Sequence, residues 1–187
     1  MDKQTVDSNS STFDKVRAGG DIAGRDINKI FPSRPHQLDL LNDHYKIECK
    51  DNSLTNEIID ELHHYRSTKS EIRDLSQKLS EAGFEYLIEN AEELKELVSK
   101  LIVKYQYYKS AQKIITYVLS DIESIFNSEI KPRLATAQSE VEVTKIFRES
   151  LVLEIQAILG ENVLEIYNRQ INGMVYFLTG NCHLEWQ

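Results

Sequence analysis

The segment from Phe84 to Lys131 constrains the fold most, because it contains neither glycine nor proline. Through it, apolar residues recur in alternating steps of four and three, the spacing of a helix face that is buried against a neighbour. The members of this seam are Leu87, Ala91, Leu94, Val98, Leu101, Tyr105, Tyr108, Gln112, Ile115, Leu119, Ile122 and Phe126, with Gln112 as the one polar residue. The spacing predicts helix through the whole segment.

Two arrangements of this segment fit the pattern. One is a single straight helix, as in a coiled coil, which would be roughly 70 Å long at 1.5 Å per residue. The other is a pair of core helices broken near Lys109 and Ser110. Further apolar residues lie beside the seam: Ile88, Leu97, Ile102, Ile114, Val118 and Ile125. Because they widen the apolar face, burial inside a helical bundle is favoured over an isolated two-stranded coiled coil.

Before the seam, capping residues and apolar spacing predict three helices. Ser33 caps the first, with Pro35 in its first turn, and the second covers about residues 55–66. The third opens with the capping box Thr68-x-x-Glu71 and stops at Gly83. Their inward-facing residues are Leu38, Leu41 and Tyr45 in the first helix, Ile58, Ile59, Leu62 and Tyr65 in the second, and Ile72, Leu75 and Leu79 in the third.

After the seam, Pro132 ends the central element, and the capping box Ser139-x-x-Glu142 opens a helix that runs to Gly160. The apolar face of that helix comprises Ile146, Phe147, Leu153, Ile158 and Leu159. Asn162 caps a short helix through Tyr167. The run MVYFLT, residues 174–179, fits a strand or a final buried helix, and its helical surroundings favour helix, followed by an extended HLEW. The sequence therefore predicts an all-α helical bundle with one long or broken central helix.

The N-terminal part of the chain, residues 1–32, differs in composition from the helical remainder. Residues 1–15 are rich in Ser, Asp, Asn and Thr, which predicts disorder. Residues 16–30, VRAGGDIAGRDINKI, contain the unit G-x-D-I-x twice. We interpret residues 16–32 as a Gly-rich oligomerisation or docking motif with a linker, and residues 33–187 as the helical domain.

The duplicated unit carries apolar side chains that two repeats cannot bury alone. Period-five units can coil as a β-solenoid with the apolar residue inward, and pairing with strands of other chains would complete it. The alternative is a flexible linker, which explains the glycines but not the repeated Asp-Ile. The candidate oligomerisation or docking residues are Val16, Gly19, Gly20, Asp21, Ile22, Gly24, Arg25, Asp26 and Ile27.

Charge, hydropathy and cysteine content argue against a general nucleic-acid-binding protein, a membrane-spanning protein and a secreted protein. The net charge is −8, and because the first 35 residues are slightly basic, the remainder is strongly acidic. Such a body is a poor general platform for nucleic acid. No apolar run approaches the length of a membrane span, and no secretory signal is visible. The two cysteines, Cys49 and Cys182, are then expected to be free thiols in the cytoplasm.

No catalytic, metal or cofactor signature emerges, so we expect a protein that is not an enzyme. The segment GGDIAGRD lacks the Lys-Ser/Thr of a P-loop and does not match G-x-G-x-x-G. The candidate metal ligands His44, Cys49, His63, His64, Cys182 and His183 lack chelating spacings. The alternative, a helical enzyme built on Cys182 and His183, would need a partner group supplied by the fold.

One segment is both basic and aromatic. KYQYYKSAQK, residues 104–113, could contact nucleic acid by charge and stacking, with Lys104, Tyr107, Lys109 and Lys113 as the candidate contacts. The alternative is that Tyr105 and Tyr108 are core residues of the seam while the lysines are solvated.

The motifs at residues 18–28 (around GGDIAGRDI) and 173–186 (GMVYFLTGNCHLEW) resemble small accessory proteins of bacterial ABC-three-component conflict systems, the group that includes Lamassu-like antiphage defence. The resemblance implies a non-catalytic subunit that works beside an SMC-like or ABC-type ATPase and a separate effector such as a nuclease. Nucleic acid would then be reached through the complex, and no membrane is implied. The resemblance also indicates a C-terminal docking segment, with Gly180, Asn181, Cys182, His183 and Trp186 as candidates.

Removal of residues 1–30 is expected to weaken self-association, because Val16, Ile22 and Ile27 would be buried only by contact with other chains. Size-exclusion chromatography with light scattering on the full and the shortened chain measures this. If both chains are monomers of the same shape, self-assembly through residues 16–30 is refuted, and a different protein remains as the partner.

Overall fold

A computed structural model describes residues 37–67, 73–137 and 139–187. All regular structure in these ranges is helical, with no β-strand, and it forms seven continuous helices. The predicted all-α fold is confirmed. The segment 1–15, the motif 16–32, the helix start at Ser33 and the capping box Thr68-x-x-Glu71 lie outside the described residues.

The helices are labelled in chain order. The first four are α1 (Gln37–Asp51), α2 (Asp60–Arg66), α3 (Leu75–Glu81) and, after one 3₁₀ turn, α4 (Ile88–Tyr105). Helix α5 spans residues 109–134, α6 spans residues 140–159, and α7 is Asn168–Gly180. Asp74 and Gln77 form a capping box at the start of α3. Among the described residues, no helix combines the length and the apolar character that crossing a bilayer requires.

The seam is divided between two helices, so the single long helix is wrong and the broken alternative is confirmed. Helix α4 ends at Tyr105, Tyr108 is extended, and α5 begins at Lys109. The amide of Gln112 lies fully buried beside this break. Its Nε2 donates to the carbonyl of Gln106 at 2.6 Å, which satisfies an acceptor left open at the end of α4.

The same amide also holds the segment before α2. Gln112 Oε1 accepts from the Ile59 amide at 2.8 Å, and its Nε2 donates to the Glu57 carbonyl at 2.9 Å. Residues 53–59 are not helical, and the expectation of a helix from about residue 55 is wrong at its start. Gln112, the single polar residue of the seam, thus links α5 to the end of α4 and to the segment before α2.

Helices α5 and α6 each contain one π turn, at Phe126–Ile130 and Arg148–Val152, and the two turns pack against each other. In α5 the amide of Lys131 bonds to the carbonyl of Phe126, five residues earlier. Pro132 follows at once and the helix continues to Leu134, so the expectation that Pro132 ends the element is wrong. The shifted hydrogen bonds accommodate a residue that lacks an N–H.

Helix α6 begins and ends as predicted. Ser139 Oγ accepts from the Glu142 amide at 3.3 Å, and Gly160 ends the helix with φ of +55°. One face residue was assigned wrongly, because Leu153 is 53% exposed. The π turn inserts an additional residue and rotates Leu153 out of the face that the regular spacing predicts.

The residues after α6 do not form the short helix expected from Asn162 to Tyr167. The side chain of Asn162 instead forms two hydrogen bonds to the backbone of Ile166. Its Oδ1 accepts from the Ile166 amide at 2.8 Å and its Nδ2 donates to the Ile166 carbonyl at 2.9 Å. An asparagine that bonds to nearby backbone in this way competes with helix formation.

Helix α7 lies in the centre of the domain and is buried on all sides from Gly173 to Thr179. The expectation of a final buried helix is confirmed, and residues 184–187 beyond it are not helical. Its closest neighbour is α4. A Cβ on Gly173 would lie 2.5 Å from the carbonyl oxygen of Leu94 and 2.9 Å from Val98, so only glycine permits this approach.

The substitution Gly173→Ala is expected to lower the free energy of unfolding by about 2–3 kcal/mol, because the new methyl meets the backbone of α4. Chemical denaturation measures the loss. Gly180→Ala in the same helix is the matched control, since there the methyl would meet the flexible side chain of Lys95. Equal stability of the two variants would contradict the close approach.

Candidate functional site

The C-terminal segment packs into its own domain through Trp186, which is 5% exposed. The indole lies parallel to the ring of Tyr176, with 6.1 Å between centroids, and stacks on Phe147 at 6.0 Å. Its Nε1 donates to Thr179 Oγ1 at 2.9 Å, so the buried N–H is satisfied. Burial raises the pKa of Tyr176 to about 12.

A buried lysine fixes this segment. The side chain of Lys78, on α3, is 1% exposed, and its Nζ donates to the carbonyls of Thr179 and Leu184 at 3.2 Å each. The same ammonium lies 2.7 Å from Glu185 Oε1. One cation thus joins the end of α7, the extended segment and a carboxylate, the pairing that a buried charge requires.

The other C-terminal candidates also make contacts within the chain. Gly180 is the last residue of α7, and Asn181 Nδ2 donates to the Tyr65 carbonyl at 3.0 Å. Cys182 is buried with φ of +62°, and its Sγ lies 3.7 Å from the Arg73 carbonyl. The buried ring of His183 packs against Tyr65 and His64. A docking role for these residues stays a prediction; the contacts that the structure gives them hold the segment in place.

The candidate metal ligands are dispersed over the domain. His44 and Cys49 are exposed on α1, whereas Cys182 is buried beside α3. The rings of His64 and His183 are close, with 4.9 Å between centroids. Within the described ranges, no three His, Cys, Asp or Glu side chains come together as a group that could hold a metal ion.

The Lys/Tyr segment forms the turn between α4 and α5. Tyr105 is buried and donates to the Leu164 carbonyl at 3.2 Å, as a seam residue should. Lys104 lies 4.8 Å over the Tyr105 ring and 3.9 Å from the Glu165 carboxylate. All four candidate contacts are exposed: Lys104 at the end of α4, and Tyr107, Lys109 and Lys113 around the start of α5.

Beside this turn lies a groove between α1 and α5, with a volume of about 370 Å³. Its lining residues are Leu41, His44, Ile47, Glu48, Lys109, Ser110 and Lys113. Ile47 is 54% exposed in the middle of these polar groups. Glu48 is engaged at the floor, where its carboxylate accepts from the amide of Ser110 at 3.1 Å and from its hydroxyl at 3.0 Å.

This α1–α5 groove combines an exposed apolar side chain with two free-standing lysine side chains on an otherwise acidic domain. Such a surface can attract an acidic partner and bury apolar area against it. The sequence pattern pointed to Lys109 and Lys113 but not to Ile47. Its exposure could have been predicted, because Ile47 follows Leu40 by seven residues and both lie off the buried face of Leu38, Leu41 and Tyr45.

A cleft of about 460 Å³ lies between α4, α6 and α7. Its floor is apolar, and its walls carry four amide side chains: Asn90, Gln156, Asn168 and Asn172. Gln156 donates to Asn168 across one wall. Glu140 and Arg148 also line the cleft, so it offers both amide and charged hydrogen-bonding groups.

The outer face of α6 carries an exposed row that we term the α6 strip: Glu140, Val141, Thr144, Lys145, Arg148, Glu149 and Leu153. Val141 is 77% exposed and Leu153 is 53% exposed, although both are large apolar residues. Sequence analysis missed this surface, because the regular helical period placed Leu153 on the inner face.

Comparison with known families gives one match in the C-terminal part of the chain. Residues 74–186 match the family model described as CTD9, C-terminal domain 9 of the ABC-three component (ABC-3C) systems. The match covers α3 to α7 and the C-terminal segment with Trp186. Neither the curated proteins nor the solved structures give a match.

The substitution Lys78→Met is expected to release the C-terminal segment and lower the free energy of unfolding by about 3 kcal/mol, because two buried carbonyls and Glu185 lose their common partner. Trp186 is the only tryptophan, so a red shift of its fluorescence reports the release. Glu185→Gln is the control, since it keeps both carbonyl contacts. An unchanged spectrum in Lys78→Met would show that the lysine does not hold the segment.

Proposed function

Because the chain belongs to the family of C-terminal domains 9 of the ABC-three component systems, we propose that it acts as a non-catalytic adaptor subunit of such a system. It would work in the cytoplasm beside an SMC- or ABC-type ATPase and a separate effector, in defence against phage. Its contribution would be assembly through protein–protein contacts, and no cofactor would be required.

The observation that carries this proposal is the α1–α5 groove. It places Ile47, half exposed, among the basic side chains of Lys109 and Lys113. This combination suits a protein surface that carries acidic and apolar side chains, because charge attracts the partner and the apolar contact retains it. We therefore assign the groove to the partner subunit of the complex.

The position of the groove relative to the matched residues supports a role in choosing the partner. Helix α5 lies within residues 74–186, whereas α1 lies before them. One wall of the groove is thus a feature of the family domain, and the other belongs to the N-terminal part of this chain. Related domains that carry a different first helix would present a different groove.

The motif at residues 16–30 is proposed as a second assembly site, since its apolar side chains need partner strands. With the α1–α5 groove it would give the adaptor two contacts, and two linked contacts raise the overall affinity beyond that of either one. The two sites can be tested separately, because truncation removes the motif and leaves α1 and α5 intact.

A second candidate function is nucleic-acid sensing through residues 104–113. It is favoured by the exposure of Tyr107, Lys109 and Lys113 around one helix start, where phosphate and a base could be bound. Two carboxylates count against it, because Glu48 lies in the same groove and Glu165 lies beside Lys104. Acidic groups at these places repel a phosphate backbone.

Two variants of the full chain separate the two functions: Ile47→Asp and the double variant Lys109→Glu/Lys113→Glu. If the groove binds a protein, both variants are expected to weaken co-purification with the ATPase subunit of the same system by about tenfold or more. If it binds nucleic acid, only the lysine variant loses a gel shift that weakens with salt.

Lys100→Glu is the matched control, since this lysine is 73% exposed on α4 and lies outside the groove. It should leave both readouts unchanged. Retention of the ATPase subunit by both groove variants would refute the assignment of the groove to a protein partner.

A further inference from the structure

The two exposed apolar residues of the α6 strip lie on one side of the helix because of its π turn. Leu153 follows Val141 by twelve residues, which in a regular helix would place them about 120° apart. The turn Arg148–Val152 absorbs one residue, and the remaining eleven correspond to about three full turns. Val141 and Leu153 therefore form the two ends of a continuous strip, which matches the shared surface that they line.

Two pairs of exposed residues in α6 lie at equal distances on either side of Phe147. Val141 corresponds to Leu153, and Lys145 corresponds to Glu149. In an antiparallel pair of two identical helices with a two-fold axis level with Phe147, each of these four exposed residues faces its counterpart in the other copy. Such a pair would bury each Val141 against Leu153 of the second copy.

The charges of the strip complement themselves in the same arrangement. Lys145 would face Glu149 of the second copy, and the two-fold axis makes this pairing occur twice. Within one chain these two groups are 3.8 Å apart, and Glu149 also accepts from Arg133 at 3.3 Å. The side chains of Lys145 and Glu149 are still 68% and 47% exposed, so both are accessible to a second copy. Glu140 and Glu154 face each other only at the ends, where solvent screens their repulsion.

The strip is also the part of the surface best suited to contact between copies of an acidic protein. Two basic residues, Lys145 and Arg148, lie among its glutamates, whereas the domain as a whole is strongly acidic. Like charges on opposed surfaces disfavour association, and a nearly balanced strip avoids this. We propose that two copies of this chain pair through the α6 strip, antiparallel and two-fold, independently of the proposed adaptor contacts.

Two full-length charge-reversal variants test the pairing: Lys145→Glu and Glu149→Lys. Each alone places like charges opposite each other twice, whereas an equimolar mixture of the two places opposite charges at both positions. Sedimentation at about 100 μM protein, which populates a dimer of micromolar affinity, should show the mixture associating at least about tenfold more tightly than either variant alone.

Rescue in the mixture depends on contact between copies, so altered pairing within one chain cannot produce it. Association through residues 16–30 adds equally to all three samples and leaves their difference unchanged. Equal association of the mixture and of the separate variants overturns the proposal, whatever the outcome for the α1–α5 groove. Circular dichroism verifies that each variant keeps its helices.

A second variant tests the register without changing charge. In a Cys49→Ser background, the double variant Val141→Cys/Leu153→Cys should form a disulfide-linked dimer under mild oxidation. Each single variant should not, because its two copies of the cysteine would be about 18 Å apart along the helices. Equal cross-linking of a single variant and the double variant would refute the antiparallel register.

Discussion

The close approach of α7 to α4 at Gly173 is the constraint on which the rest of the domain depends. It allows α7, which is buried on all sides from Gly173 to Thr179, to lie in the centre, with α3, α4, α5 and α6 around it. Trp186 and the segment before it then pack on the end of α7, held by Lys78. In the structure, the C-terminal residues that are candidates for docking also close the core.

Polar side chains decide where the helices stop. Gln112 replaces the backbone bonds lost at the break after α4 and fixes the segment before α2. Asn162 does the same for the loop after α6, and Glu48 from α1 accepts the amide of Ser110 at the start of α5. Each of these contacts is worth about 1 kcal/mol when made and more when a buried partner is left open. The path of the chain between its helices is therefore fixed by these few amide and carboxylate side chains.

These contacts also explain which features could be predicted from the sequence. The buried faces of α4, α5 and α7 and the caps at Ser139 and Gly160 follow from local spacing and residue type, and the structure confirms them. The roles of Gln112 and Asn162 depend on groups distant in the chain or on a choice between competing hydrogen bonds. The π turns leave no periodic signal, so the exposure of Leu153 and with it the α6 strip could not be anticipated.

The cover that α1 places over α5 has a consequence for the modularity of this domain. Residues 74–186 define the family span, yet Glu48 and the rings around Tyr45 and Tyr108 belong to an interface that reaches back to α1. Transplanting the matched span alone into another protein would uncover the first turn of α5 and its neighbouring aromatic rings. A unit that keeps these contacts when it is transplanted therefore includes α1 as well as the matched span.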